Sequence, residues 1–150
     1  MKPLFIEKQR FNQWWLWLLL MISLAVPVLL LFKEATIKSG GFSGIIIIVL
    51  VIILFVIMQL KTTITQQNIQ LTYFPFVWKT IKLSDIDTMK VINYGFVGGW
   101  GIRLWTKYGT VYNVRGNKGL HIRLKNGKQL VIGTQKPQEL ENVVAQLNSK

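Results

Sequence analysis

The sequence contains no cysteine, one histidine and only six acidic residues. The missing thiols exclude disulfides, thiolate metal sites and cysteine nucleophiles. A catalytic site needs placed acids, bases or nucleophiles. From Lys61 onward the candidates are His121, Asp85, Asp87, Glu139 and Glu141. His121 falls between Leu120 and Ile122 in an alternating run, which suits a surface position on a strand. Asp85 and Asp87 stand two apart in "SDID", where aspartate side chains commonly bond turn amides. Glu139 and Glu141 suit the start of a helix. No phosphate-loop, zinc-helix or nucleophile-elbow motif occurs. The chain therefore reads as non-enzymatic, with no catalytic, cofactor or metal site.

Charge is also missing from two long stretches. Trp14–Phe32 and Phe42–Leu60 carry no ionisable side chain. Each is long enough for about 28 Å of helix, close to the thickness of a bilayer core. They predict a two-helix transmembrane hairpin, 14–32 and 42–60, joined by an external loop, 33–41. A cleaved signal peptide fits less well, because no small-residue cleavage site follows the first run. Spans without an internal charge argue against a transporter or channel and favour an anchor. Trp14, Trp15 and Trp17 follow the N-terminal arm, 1–13, and are placed at the membrane interface.

Charge of one sign dominates what remains. The net charge is +12, and residues 61–150 carry 13 of the 18 basic residues and 4 of the 6 acids. Lys2, Lys8 and Arg10 stand against Glu7 in the arm, and Lys33 and Lys38 against Glu34 in the loop. The positive-inside rule then predicts a multi-pass membrane protein with both termini cytoplasmic.

After Lys61 the apolar period is two. "TTITQQ", "IQLTYF", "VWKTIKL", "TMKVINY", "TVYNVR", "LHIRLK" and "KQLVIG" read as strands, with room for a short one at Ile102–Trp105. "NG" at Asn126 and Gly127 predicts a two-residue hairpin pairing Lys125 with Lys128. Leu120 would then face Gly133, and Ile122 would face Val131. Leu140, Val143, Val144 and Leu147 form one helical stripe after Pro137.

Residues 109–140, "GTVYNVRGNKGLHIRLKNGKQLVIGTQKPQEL", resemble the C-terminal half of the bacterial pleckstrin-homology-like domains. The "KNGK" hairpin, the "IGTQKP" strand end, "GGWGIR" and "IKLSDID" carry the likeness. It implies an α+β fold: a partly open, seven-stranded antiparallel β barrel over residues 61–150, capped by the C-terminal helix. It implies no catalytic activity, and it sets the transmembrane hairpin in the bacterial inner membrane. The first hairpin, "TTITQQNIQL", lacks the basic tip with which related domains bind phosphoinositides.

The basic residues of the second half are the remaining signal. Arg103, Arg115, Lys118, Arg123, Lys125 and Lys128 are the candidate contacts for anionic lipid or for a partner. "YGFVGGWGIRLW", residues 94–105, opens no helix, so it offers no helix N-terminus to a phosphate. Its aromatics either fill the barrel, through Trp100 or Trp105, or touch a bilayer, through Phe96 and Trp100. The expected function is a cytoplasmic module for protein–protein interaction or scaffolding at a membrane. The alternatives are anionic lipid binding by the basic hairpins and an accessory role beside a membrane enzyme or transporter. The expected partners are membrane lipids and a protein, not nucleic acid.

Overall fold

The computed structural model describes residues 2–31 and 41–149. The chain divides into two compact units. One comprises the segment up to Arg10 and everything from Gln59 onward; the other is Phe11–Met58.

The Phe11–Met58 unit is a pair of helices, α1 (Trp14–Leu31) and α2 (Gly41–Ile57). Phe11 and Phe55 meet edge to face, with ring centroids 5.3 Å apart. Trp17 donates its indole N–H to the Phe11 carbonyl at 2.9 Å. Leu20 is buried, while Leu18, Ile22, Leu29, Ile46, Leu50 and Ile53 are exposed.

These helices correct the expected transmembrane hairpin. No helix among the described residues is long and apolar enough to cross a membrane. The two helices have 18 and 17 residues. The second uncharged run overstates its helix because apolar residues also serve the next element. Gln59 and Leu60, counted in the second span, belong to a strand. With the spans go the multi-pass inner-membrane placement and the orientation derived from it. The proposed external loop, but for Gly41 in α2, lies outside the described residues.

Among its described residues the other unit holds nine strands, one α-helix and a short 3-10 helix, Leu83–Asp85. Its first sheet has the order β1-β2-β3-β4 and is antiparallel throughout: β1 (Phe5–Arg10), β2 (Gln59–Ile64), β3 (Asn68–Phe74) and β4 (Val77–Lys82). Alternation sorts its side chains between two faces. Phe5, Leu60, Ile64, Ile69, Leu71, Tyr73 and Ile81 are buried on one of them. The second sheet has the order β5-β8-β9-β7-β6. Its strands are β5 (Ile86–Asn93), β6 (Gly101–Thr106), β7 (Gly109–Asn113), β8 (Lys118–Leu124) and β9 (Gln129–Gly133). β7 and β9 are parallel and the other pairs antiparallel. Leu120, Ile122, Leu130, Ile132 and Tyr112 are buried and share one face.

Two sheets of four and five strands replace the expected seven-stranded barrel. The difference has two sources. The arm 1–13 supplies β1, because Phe5, Glu7 and Gln9 alternate inward against Ile6, Lys8 and Arg10. "GIRLWT" also forms a full strand, at the edge of the second sheet.

The last hairpin differs in register by one residue. Ile122 pairs with Leu130 and Leu120 with Ile132. The loop has three residues, not two, with Gly127 at φ 82°. The Gly127 amide bonds the Leu124 carbonyl at 2.9 Å, and the Leu124 amide bonds the Lys128 carbonyl at 2.8 Å. This is the turn-plus-bulge arrangement, in which glycine takes the left-handed position. The single-residue slip moves Val131 to the opposite face. There it joins Tyr94 and Val111 in a second small core, flanked by Ile92, Val97 and Tyr108.

The closing helix, α3 (Pro137–Asn148), has proline in its first turn and buries Leu140, Val143 and Val144. It packs chiefly on β5, with further contact to β1 and β8.

Candidate functional site

The two sheets meet differently along their two seams. At β1 the seam is closed by polar side chains. The Glu7 carboxylate, buried, accepts from the Thr134 hydroxyl at 2.6 Å and from the Gln135 amide at 2.8 Å. The Gln9 side-chain amide donates to the Gly133 carbonyl at 2.7 Å. Further in, the Tyr73 hydroxyl donates to the Asn113 carbonyl at 3.3 Å, and the Asn113 side chain donates to the Tyr94 hydroxyl at 3.2 Å. Burial pushes both phenols above the ordinary tyrosine range. The charge of Arg103 opposes the shift at Tyr73, and the bond from Asn113 opposes it at Tyr94.

At β4 the seam stays open. A cleft of about 680 Å³ runs between β4 and the second sheet. Ile81, Leu104, Leu124 and Leu130 make its apolar lining, with Trp105 beside them. Lys79 and Lys128 supply its charge, and no carboxylate among the described residues lines it. The Lys79 ammonium donates to the Tyr112 hydroxyl at 2.8 Å and lies over that ring.

Along this cleft β4 is paired on one side only, with β3. The Leu83 amide bonds the Gln67 carbonyl. This makes Asn68 and Lys82 a pair without mutual hydrogen bonds in the ladder. By alternation Trp78, Thr80 and Lys82 turn their amides and carbonyls away from β3. The cleft is thus bordered by an unpaired strand edge.

Trp105 stands at the other border. Two β6 residues, Leu104 and Trp105, oppose the single β7 residue Thr110, which makes a bulge. Trp105 takes φ 54° there and is 95% exposed. A bulky residue in the left-handed region is an outlier, and such outliers cluster at ligand contacts.

The residues singled out in the sequence do not form one patch. Arg115 and Lys118 lie at one end of β8, and Arg123, Lys125 and Lys128 at or beyond the other, about 20 Å away along a strand of this length. Lys128 borders the cleft. Lys125 borders a smaller hollow of about 310 Å³ next to it, together with Asp85. Arg103 lies on β6; its Nε is buried with no partner, and its guanidinium fills the space a side chain at Gly99 would need. In the glycine-rich stretch Val97 turns into the small core, while Phe96 is 87% exposed. Trp105 does not fill the interior. Phe96 and Trp100 line a hollow of about 470 Å³ that has no charged side chain in its wall. Trp14 and Trp15 are exposed on α1.

His121 pairs its Nε2 with the Gln129 side-chain oxygen at 3.0 Å and meets the Tyr108 ring edge. Among the described residues no cluster of His, Asp or Glu could hold a metal ion. Sequence reasoning missed Trp78, Thr80 and the β4 edge. The signal was present in "VWKTIKL", a strand pattern bounded by turns on both sides. Its edge position depends on long-range pairing that no local pattern encodes.

No family model matches the chain, and no curated protein or solved structure matches it.

Proposed function

We propose that this chain is a non-enzymatic binding module that takes an extended, acidic peptide segment of a partner protein along the β4 edge. The observation that carries this reading is the unpaired edge of β4 beside a cleft whose charged lining, among the described residues, is Lys79 and Lys128. An added strand would satisfy the outward amides of Trp78, Thr80 and Lys82. Its apolar side chains would alternate into the space over Ile81 and Leu130. Its carboxylates would meet the two lysines, which have no acidic neighbour in the cleft wall. A relationship to the bacterial pleckstrin-homology-like domains belongs to this proposal. The "KNGK" hairpin and the helix after "IGTQKP" favour it; the parallel β7–β9 pair departs from it.

The test uses a fluorescent peptide that alternates aspartate or glutamate with valine or isoleucine, titrated into the full chain by anisotropy. Thr80→Pro removes an outward amide that takes no part in the ladder, so the sheet tolerates it. Binding that is lost in Thr80→Pro, and weakened in Lys79→Glu and Lys128→Glu, supports the reading. Binding that survives Thr80→Pro, or that prefers a lysine-containing peptide, overturns it.

A further inference from the structure

The outer face of the first sheet has a different composition from the cleft. Lys8 on β1 stands directly opposite Lys61 on β2, and Thr72 and Trp78 continue the same row. The next row holds Arg10, Gln59 and Phe74. Phe76 follows in the turn to β4, and Phe74 meets Trp78 edge to face with centroids 6.2 Å apart. No carboxylate belongs to this face of β1–β4, where Glu7 turns inward. No ion pair among the described residues joins Lys8, Arg10 or Lys61 to an acid.

Like charges directly opposite on neighbouring strands destabilise a sheet. Three exposed aromatics beside them add apolar surface that water disfavours. Both costs disappear against one kind of surface, anionic at the headgroup level and apolar just beneath. Basic side chains gain there from the surface potential, and aromatic rings occupy the boundary.

We propose that the outer face of the first sheet, through Lys8, Arg10, Lys61, Phe74, Phe76 and Trp78, docks on an anionic lipid surface. Connectivity favours lipid over single-stranded nucleic acid, which basic and aromatic faces also bind. The chain leaves this sheet at Arg10 and returns at Gln59, the two ends of one register pair. The intervening unit exposes aliphatic side chains on both its helices. Exposed aliphatic surface on that scale marks an apolar partner or phase, and hydrocarbon meets that need where nucleic acid does not. The contact requires no helix to cross the bilayer. It is independent of the peptide cleft, which uses the edge of β4 and the opposite face.

The test mixes the full chain with vesicles of phosphatidylcholine alone or with added phosphatidylglycerol, followed by flotation at low and high salt. The expected result is association at least tenfold stronger with the anionic vesicles, fading as salt screens the charges. The variant Lys8→Glu/Arg10→Glu/Lys61→Glu loses this anionic preference and keeps its association with neutral vesicles. A second measurement covers the case in which the triple variant fails to fold. Brominated lipids quench tryptophan fluorescence on contact, and Trp78→Phe removes part of that quenching. An equal response to both vesicle types, an unchanged preference in a folded triple variant, or unchanged quenching in Trp78→Phe overturns the proposal. Tighter binding of a single-stranded RNA oligonucleotide to this face than of anionic vesicles also overturns it.

Discussion

The carboxylate of Glu7 and the hydroxyl of Thr134 lie 2.6 Å apart and join the first strand of one sheet to the end of the last strand of the other. Glu7 also accepts the Gln135 amide. Hydrogen bonds to a charged group contribute about 1.5–3 kcal/mol each, and a buried donor left without a partner costs about 1–3 kcal/mol. Glu7→Ala is expected to lower stability by about 3 kcal/mol, with Glu7→Gln between it and the natural protein. Urea denaturation of the three proteins checks the order.

Trp105 gives the opposite sign. A left-handed backbone costs a side-chain-bearing residue about 1–2 kcal/mol, and glycine avoids that cost. Trp105 is almost wholly exposed, so little packing is lost with it. Trp105→Gly is expected to raise stability by about 1 kcal/mol while weakening peptide binding at the cleft. Thermal melting and anisotropy together read both effects.

Two glycines separate steric from backbone causes. A Cβ at Gly119 would stand 2.6 Å from the Ile132 carbonyl oxygen, whereas one at Gly127 meets nothing within 4 Å. Gly119→Ala is expected to cost about 2 kcal/mol through overpacking. Gly127→Ala is expected to cost about 1 kcal/mol, for its positive φ alone. Chemical denaturation distinguishes them. A two-residue turn with the other register would predict a different pattern, because Leu120 and not Gly119 would then face Gly133.

The buried phenols fix the alkaline behaviour. Tyr73 and Tyr94 have folded pKa values raised by burial above the ordinary value near 10. Below that value both are protonated, folded or unfolded, and the stability they contribute is fully present. Above it the unfolded chain releases protons that the folded chain keeps, so stability falls as pH rises. Tyr73→Phe is expected to flatten this decline. Denaturation midpoints measured from neutral pH to above pH 10 check it.

Local patterns carried some of this fold. The stripe Leu140, Val143, Val144 and Leu147 named a helix and its inward side; the first three are buried on α3 and Leu147 is half-buried. The alternating runs named most strands. Three kinds of information were missing. Leu60 is equally apolar in a membrane helix or on a strand, so composition could not set the end of α2. The Asn-Gly pair allows two loop lengths, and the choice rests on Gly127 closing onto Leu124. The cleft depends on which strand is left unpaired, and that is a property of sheet order. Arg103 and Lys128 look alike as basic residues in sequence; the fold puts one under Gly99 and the other at the cleft.

The pairing of β1 with β2 also has a consequence in time. Phe5–Arg10 leaves the ribosome before the segment it must pair with, and the whole of residues 11–58 is made in between. Gln59–Lys82, by contrast, is a meander of neighbouring strands that can form as soon as it is synthesised. Contacts distant in sequence bear the larger loop-closure cost and form late. β1 is therefore made first and placed last, and the Glu7 seam is set only when it docks. Slowing or lengthening residues 11–58 delays this final step without altering the sheet it completes.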